Sequence, residues 1–147
     1  SLFIQPEKME QHNLKLEAKF QEIRDTEVRY EEYNTTDAEY IFVAYGLSAR
    51  ICQKAMDLAR DKGLKVGLLR PITLYPYPYD RLLELADQVK MMLCVELNSG
   101  QMVEDVQLAV KGKIPVTFFG KMGGMMPTPE EILHHLENLI QPYYANG

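Results

Sequence analysis

The sequence predicts a three-layer α/β domain built around a parallel sheet, and three observations carry that prediction. Short apolar runs, Tyr40–Tyr45, Val66–Leu69, Met91–Val95 and Val116–Phe119, alternate with stretches of helical periodicity. Such runs are apolar on both faces of a strand, so the sheet must be covered on both sides, and right-handed crossovers then place helices above and below it. Finally, 147 residues with 46% hydrophobic content suit one ordinary domain. A chain this long buries roughly two thirds of its unfolded surface and needs no disulfide or metal to hold together.

Each element follows from local signals. Residues 1–27 open with Pro6 at a first-turn position and place Met9, Leu16, Phe20 and Ile23 on one narrow stripe, which predicts an amphipathic lead-in helix with otherwise polar faces. The domain proper is expected over 28–147. Val28–Tyr33 reads as an edge strand, and Asn34-Thr35-Thr36-Asp37 supplies the turn into the first central strand. Ile51, Cys52, Ala55, Met56 and Ala59 mark a helix closed by Gly63. After Val66–Leu69 come a short helix over Pro78–Gln88 and the strand Met91–Val95, then a helix over Gly100–Val110 and the strand Val116–Phe119. Thr128 as N-cap, Pro129 at the first position and Glu131 reaching back form a capping box for the last helix, whose face carries Ile132, Leu133, Leu136, Leu139 and Ile140.

Composition excludes several classes of function. Sixteen basic against 21 acidic residues give a net charge of −5, with no clustered Lys and Arg to neutralise a phosphate backbone, so no nucleic-acid partner is expected. The longest apolar runs are too short for a membrane span and the first residues form no signal segment, so a cytoplasmic protein is expected. Cys52 and Cys94 are isolated, without CxxC or a neighbouring His pair. They read as buried structural thiols, and no zinc or iron–sulfur site is expected from this chain.

In a doubly wound sheet, ligands bind beyond the carboxyl ends of the strands. The residues there are Gly46 and Ser48, Arg70 and Thr73, then Glu96, Asn98 and Gln101, and finally Gly120–Gly124. Gly46 and Ser48 could offer backbone N–H groups to an anion, or form a plain strand-to-helix turn; the other glycines of a dinucleotide fingerprint and a P-loop lysine are missing. Asn98 and Gln101 fit a capping pair for the following helix, which competes with any ligand role. Glu96 ends a buried strand and is expected to pair with Arg70. His12 falls on the lead-in helix, while His134 and His135 adjoin on the last one; all three imidazoles are expected to face solvent, with no nucleophile-and-base arrangement. Leu74-Tyr75-Pro76-Tyr77-Pro78-Tyr79 and the methionines Met122, Met125 and Met126 have compositions suited either to protein contacts or to packing on the domain's own core.

Four stretches, AYGLSAR at 44–50, RPITLYPYP at 70–78, VELNSGQMVEDV at 95–106 and GGMMPTPEEIL at 123–133, resemble in order and spacing the C-terminal region of 2-oxoacid:ferredoxin oxidoreductase alpha subunits, most nearly the 2-oxoisovalerate (branched-chain) type. The resemblance runs over nearly the whole chain. It implies the fold of the transketolase C-terminal domain: a three-layer αβα arrangement with a mostly parallel five-stranded sheet and one antiparallel edge strand. It also implies oxidative decarboxylation of a 2-oxoacid to an acyl-CoA, with thiamine diphosphate, Mg2+ and iron–sulfur clusters passing electrons to ferredoxin.

By that resemblance, this piece holds no cofactor and no catalytic residue. The cofactors would sit in an N-terminal pyrimidine-binding domain of the same subunit, a thiamine-binding beta subunit and an iron–sulfur subunit, with the lead-in helix as tether. Assembly is then the expected role, with Tyr75, Tyr77, Met122, Met125 and Met126 as contacts buried in the complex or driving a homodimer. The alternative is a module that holds an anionic nucleotide or coenzyme A at Gly46, Ser48, Arg70, Glu96, Asn98 and Gln101, with Arg70 as the anion donor. A receiver-type domain would need paired Asp residues at strand ends, where this sequence offers Glu96.

Overall fold

The computed structural model describes residues 27–97, 100–121 and 125–141. The expected lead-in helix, with His12, lies outside the described residues, as do Asn98 and Met122. Among the described residues five strands and four helices follow one another: β1 (Tyr30–Tyr33), β2 (Tyr40–Val43), α1 (Gly46–Asp61), β3 (Val66–Pro71), α2 (Tyr79–Ala86), β4 (Met91–Val95), α3 (Gln101–Val110), β5 (Val116–Phe119) and α4 (Pro129–Ile140). They form one sheet in the order β1-β3-β2-β4-β5, in which only β1 runs antiparallel, against β3. The other pairs are parallel, for example Tyr40 opposite Val66 on one side and Met91 on the other. The expected mostly parallel five-stranded sheet with an antiparallel edge strand is the one observed.

The sheet divides the core in two. On one face, Phe42, Leu68, Leu93 and Val95 meet Cys52, Ala55, Met56 and Ala59 of α1 and Ile132, Leu133 and Leu136 of α4. On the other, Ile41, Val43, Leu69, Met92 and Cys94 meet Leu82 and Leu85 of α2 and Met102, Val106 and Val110 of α3. All five residues of β4 are buried, as a strand packed on both faces requires.

Thr128 caps α4: its Oγ1 accepts from the Glu131 N–H at 3.1 Å. The Lys121 ammonium, 2.8 Å away, and the Thr128 cap hold the Glu131 carboxyl below its ordinary range. Among the described residues, no helix is long and apolar enough to cross a membrane.

The candidate functional site at the carboxyl end of the sheet

Strands β2 and β4 are neighbours whose following helices lie on opposite faces, α1 on one and α3 on the other. Their carboxyl ends are therefore the point where chain direction reverses and a crevice opens. The sheet runs between the expected site residues and separates them. Gly46 opens α1 at φ +57°, a left-handed conformation natural to glycine, and Ser48 is buried in the first turn; that turn carries no acidic residue and no side-chain cap. Glu96 and Gln101 belong to the α3 face instead.

The expected ion pair between Arg70 and Glu96 is not formed. Arg70 lies within β3, next to β1, and its guanidinium reaches Glu31 at 3.6 Å. Strand β2 stands between β3 and β4. Side-chain alternation also turns Arg70 toward the face of Leu68 while Glu96 follows Met92 and Cys94.

Glu96 has a different task. It is only 2% exposed, and its Oε1 accepts from the Met102 N–H at 2.9 Å, a donor that the first turn of α3 cannot satisfy within the helix. Gly100, at φ +82°, holds the N-cap position without a side-chain bond, and Gln101 projects into solvent, while the expected cap by Asn98 lies outside the described residues. The Glu96 carboxyl suits this place because it leaves a fixed strand end at the helix start, where the backbone dipoles favour negative charge. Beside it Gly120 passes so close that a Cβ there would come within 2.9 Å of the Glu96 carbonyl oxygen and 2.6 Å of the Phe118 ring. Glu96 Oε2 has no hydrogen-bond partner among the described residues.

The proline-rich segment behaves as two opposite halves. Tyr75 is 75% exposed, whereas Tyr77, expected at an interface, is 4% exposed and belongs to the domain's own core. In a regular strand residues two apart would share a side, but residues 74–76 form bends, and past them Tyr77 turns inward. Its ring meets that of Tyr79 edge-on at 5.3 Å, and the Tyr79 hydroxyl donates to Asp105 at 2.7 Å. Burial, followed by that bond, pushes the Tyr79 phenol up to about 12; Tyr77 is pushed up further, chiefly by burial. Thr73 anchors the segment by accepting from the Arg29 N–H at 3.1 Å and donating to the Pro76 carbonyl at 2.8 Å. Sequence reasoning placed Thr73 at a strand end but missed this anchor. It also missed the Tyr79–Asp105 bond, whose partners are 26 residues apart and share no local pattern.

The remaining candidates divide between surface and core. Met125 and Met126 are exposed. Cys52 and Cys94 are fully buried, and burial pushes both thiols up, so neither offers a thiolate. Of the three histidines expected in solvent, two are described: His134 is exposed but His135 is half-buried against Phe119, with ring centroids 4.6 Å apart, because its side of α4 faces the end of β5. Among the described residues no group of three His, Cys, Asp or Glu side chains could hold a metal ion.

Around this end of the sheet lies an apolar rim. Leu47 follows β2, Ile72, Leu74 and Tyr75 follow β3, and Met125 and Met126 lie between β5 and α4; all are exposed. Tyr30, opposite Pro71 at the start of antiparallel β1, joins them.

Comparison with known proteins accounts for this arrangement of strands. The model of the pyruvate:ferredoxin oxidoreductase core domain II matches residues 38–132. Ketoisovalerate oxidoreductase subunit VorB of Methanothermobacter thermautotrophicus is 42% identical over 139 residues, covering 95% of this chain and 39% of its own. The 2-oxoglutarate synthase subunit KorA of Methanocaldococcus jannaschii is 37% identical over 114 residues, 78% of this chain and 30% of its own. This chain therefore spans well under half the length of those relatives. Among solved structures, 2-oxoglutarate:ferredoxin oxidoreductase from Magnetococcus marinus, with 2-oxoglutarate, coenzyme A and succinyl-CoA bound, superposes with a TM-score of 0.81 at 24% identity over 95% of this chain and 24% of that one. An inactive beta4 tetramer of a split-gene transketolase gives 0.64 at 16% identity, over 75% of this chain and 40% of that one, which shows the shared fold. With the match covering most of the sheet and both core layers, the chain belongs to the pyruvate:ferredoxin oxidoreductase core domain II family.

Proposed function

We propose that this domain serves the assembly and shape of a 2-oxoacid:ferredoxin oxidoreductase of the branched-chain type, and that it holds the parts bearing the cofactors in register without itself touching the reacting atoms. The observation that carries this reading is the apolar rim at the carboxyl end of the sheet. Clustered exposed apolar side chains mark protein contacts, and Tyr and Met suit the centre of an interface. Relatives named as ketoisovalerate oxidoreductase subunits support the branched-chain type. In this reading residues 1–27 tether the domain over 28–147 to an N-terminal pyrimidine-binding domain. Thiamine diphosphate, Mg2+ and the iron–sulfur clusters belong to that domain and to companion beta and iron–sulfur subunits, ferredoxin takes the electrons, and the complex works in the cytoplasm.

The anionic-ligand reading is the second one. Arg70 Nη1 faces the Glu31 carboxylate at 3.6 Å while its Nε is buried without a partner among the described residues, and the buried Glu96 carboxyl at the crevice disfavours an anion.

The test uses the full-length subunit co-expressed with its companions. Tyr75→Glu with Met125→Glu should reduce the companion subunits and iron recovered with it by roughly tenfold or more, since a charge forced into an apolar interface goes unpaired. Unchanged recovery, or tight thiamine diphosphate binding by this domain alone, would overturn the proposal.

A further inference from the structure

The proline-rich loop between β3 and α2 is an arch with two fixed feet. Its far foot, Pro76-Tyr77-Pro78, is buried, and its crown, Leu74-Tyr75, is exposed. The near foot is pinned to the chain just before β1. There the Arg29 carbonyl accepts from the Ile72 N–H at 2.9 Å and from the Thr73 N–H at 3.2 Å, while the Arg29 N–H donates to the Thr73 hydroxyl at 3.1 Å.

That hydroxyl carries one hydrogen and faces two acceptors, the Pro76 carbonyl at 2.8 Å and the Arg29 carbonyl at 3.4 Å. The hydrogen goes to Pro76, because that distance is normal for a hydroxyl donor and the Arg29 carbonyl already accepts twice. Thr73 Oγ1 therefore accepts from Arg29 on one side and closes the arch beneath Leu74 and Tyr75 on the other. Valine would fill the same space with neither bond. Arg29 also lies two positions past residues 1–27, so the end of the tether and both feet of the arch meet at one oxygen atom.

We propose that Thr73 is a positioning residue for the interface: it holds Leu74 and Tyr75 where a companion subunit meets them, and it ties that place to the chain arriving from residues 1–27. This rests on the assembly reading and deepens it. Side chains ordered before contact lose little freedom on binding, whereas a loosened crown must be ordered at that moment. Thr73 acts through the two residues of the crown.

The test uses the full-length subunit and its complex, with Thr73→Val to remove the hydroxyl and Thr73→Ser to keep it. In the subunit before companions are added, Thr73→Val should speed solvent exchange of the Arg29 amide roughly tenfold, and Thr73→Ser should restore the slow rate. In sedimentation of the complex over a dilution series, Thr73→Val should raise the concentration of half-dissociation roughly tenfold, again with rescue by Thr73→Ser. Arg60→Ala, a loss at the other end of the sheet, should leave that concentration unchanged. Unchanged Arg29 exchange, faster exchange with unaltered dissociation, or no rescue by serine would overturn the proposal. So would an equal rise in Arg60→Ala, since general loosening would then explain the effect. If Tyr75→Glu with Met125→Glu leaves the companions bound, the assembly reading falls and the positioning role with it, while the Arg29 exchange still reports whether the clasp itself exists.

Discussion

The two ends of the sheet are built on opposite plans. At the amino end, the loops before the parallel strands are polar and consume their own charges. Arg60 reaches from α1 to the Val66 and Asn34 carbonyls and the Asp37 carboxylate, each at 2.8 Å. Lys113 meets Asp87 at 2.7 Å, and the Gln88 amide donates to the Thr35 and Ala38 carbonyls. At the carboxyl end, apolar side chains stand in solvent over three buried polar atoms, Arg70 Nε, the Tyr77 hydroxyl and Glu96 Oε2, that have no partner among the described residues. An end that satisfies itself needs no partner, whereas one that exposes Tyr, Leu and Met while burying an unpaired carboxylate oxygen has the composition of a contact surface.

The contrast can be broken most forcefully at Arg60. Replacing it by Ala leaves two carbonyls and a carboxylate without their charged donor, so this chain should lose about 2–3 kcal/mol of stability in urea titration. A loss below about 0.5 kcal/mol would place Arg60 among ordinary surface cations and remove the main clasp of the amino end.

That clasp was not legible in the sequence, and the reason is general. The strand Met91–Val95, the capping box at Thr128 and the alternation of elements could be read because each rests on neighbours in sequence: a run of apolar residues, or a side chain bonding to a backbone group three positions on. Arg60 with Asp37 and Tyr79 with Asp105 join residues 23 and 26 apart, and nothing local announces them. The expected pair of Arg70 with Glu96 failed for a related reason. Both were rightly placed near strand ends, but strand order and face decide who meets whom, and β2 separates the two. Tyr77 shows a finer limit: composition marks the proline-rich segment as unusual, but only the bends at residues 74–76 make Tyr75 surface and Tyr77 core.

Acid should act on the two ends in separate ranges. Burial against Phe119 and the neighbouring His134 hold His135, at the carboxyl end, below its ordinary 6.5. Its unfolded form thus takes up a proton first, and stability should fall as pH drops below 6.5 toward the folded value. At the amino end Arg60 holds Asp37 below 3.8, so that contribution persists to lower pH and is lost only as pH falls through the depressed value. Thermal melts from pH 7 to pH 3 should show the first decline vanish in His135→Gln and the second in Asp37→Asn. A single decline insensitive to His135 would mean that its contact with Phe119 does not persist in solution.

The smallest effect is the most informative. Leu74→Ser with Tyr75→Ser removes two large apolar side chains, a change that would cost several kcal/mol in the core. At the rim both are exposed, so urea titration of this chain should register a change within about 0.5 kcal/mol, and solubility should rise. The same pair in the full-length subunit should weaken its hold on companion subunits. A residue that contributes nothing to its own fold yet is needed for association is the signature of an interface, and the opposite result, a large loss of stability in the chain by itself, would mean that the rim packs on the domain's own core.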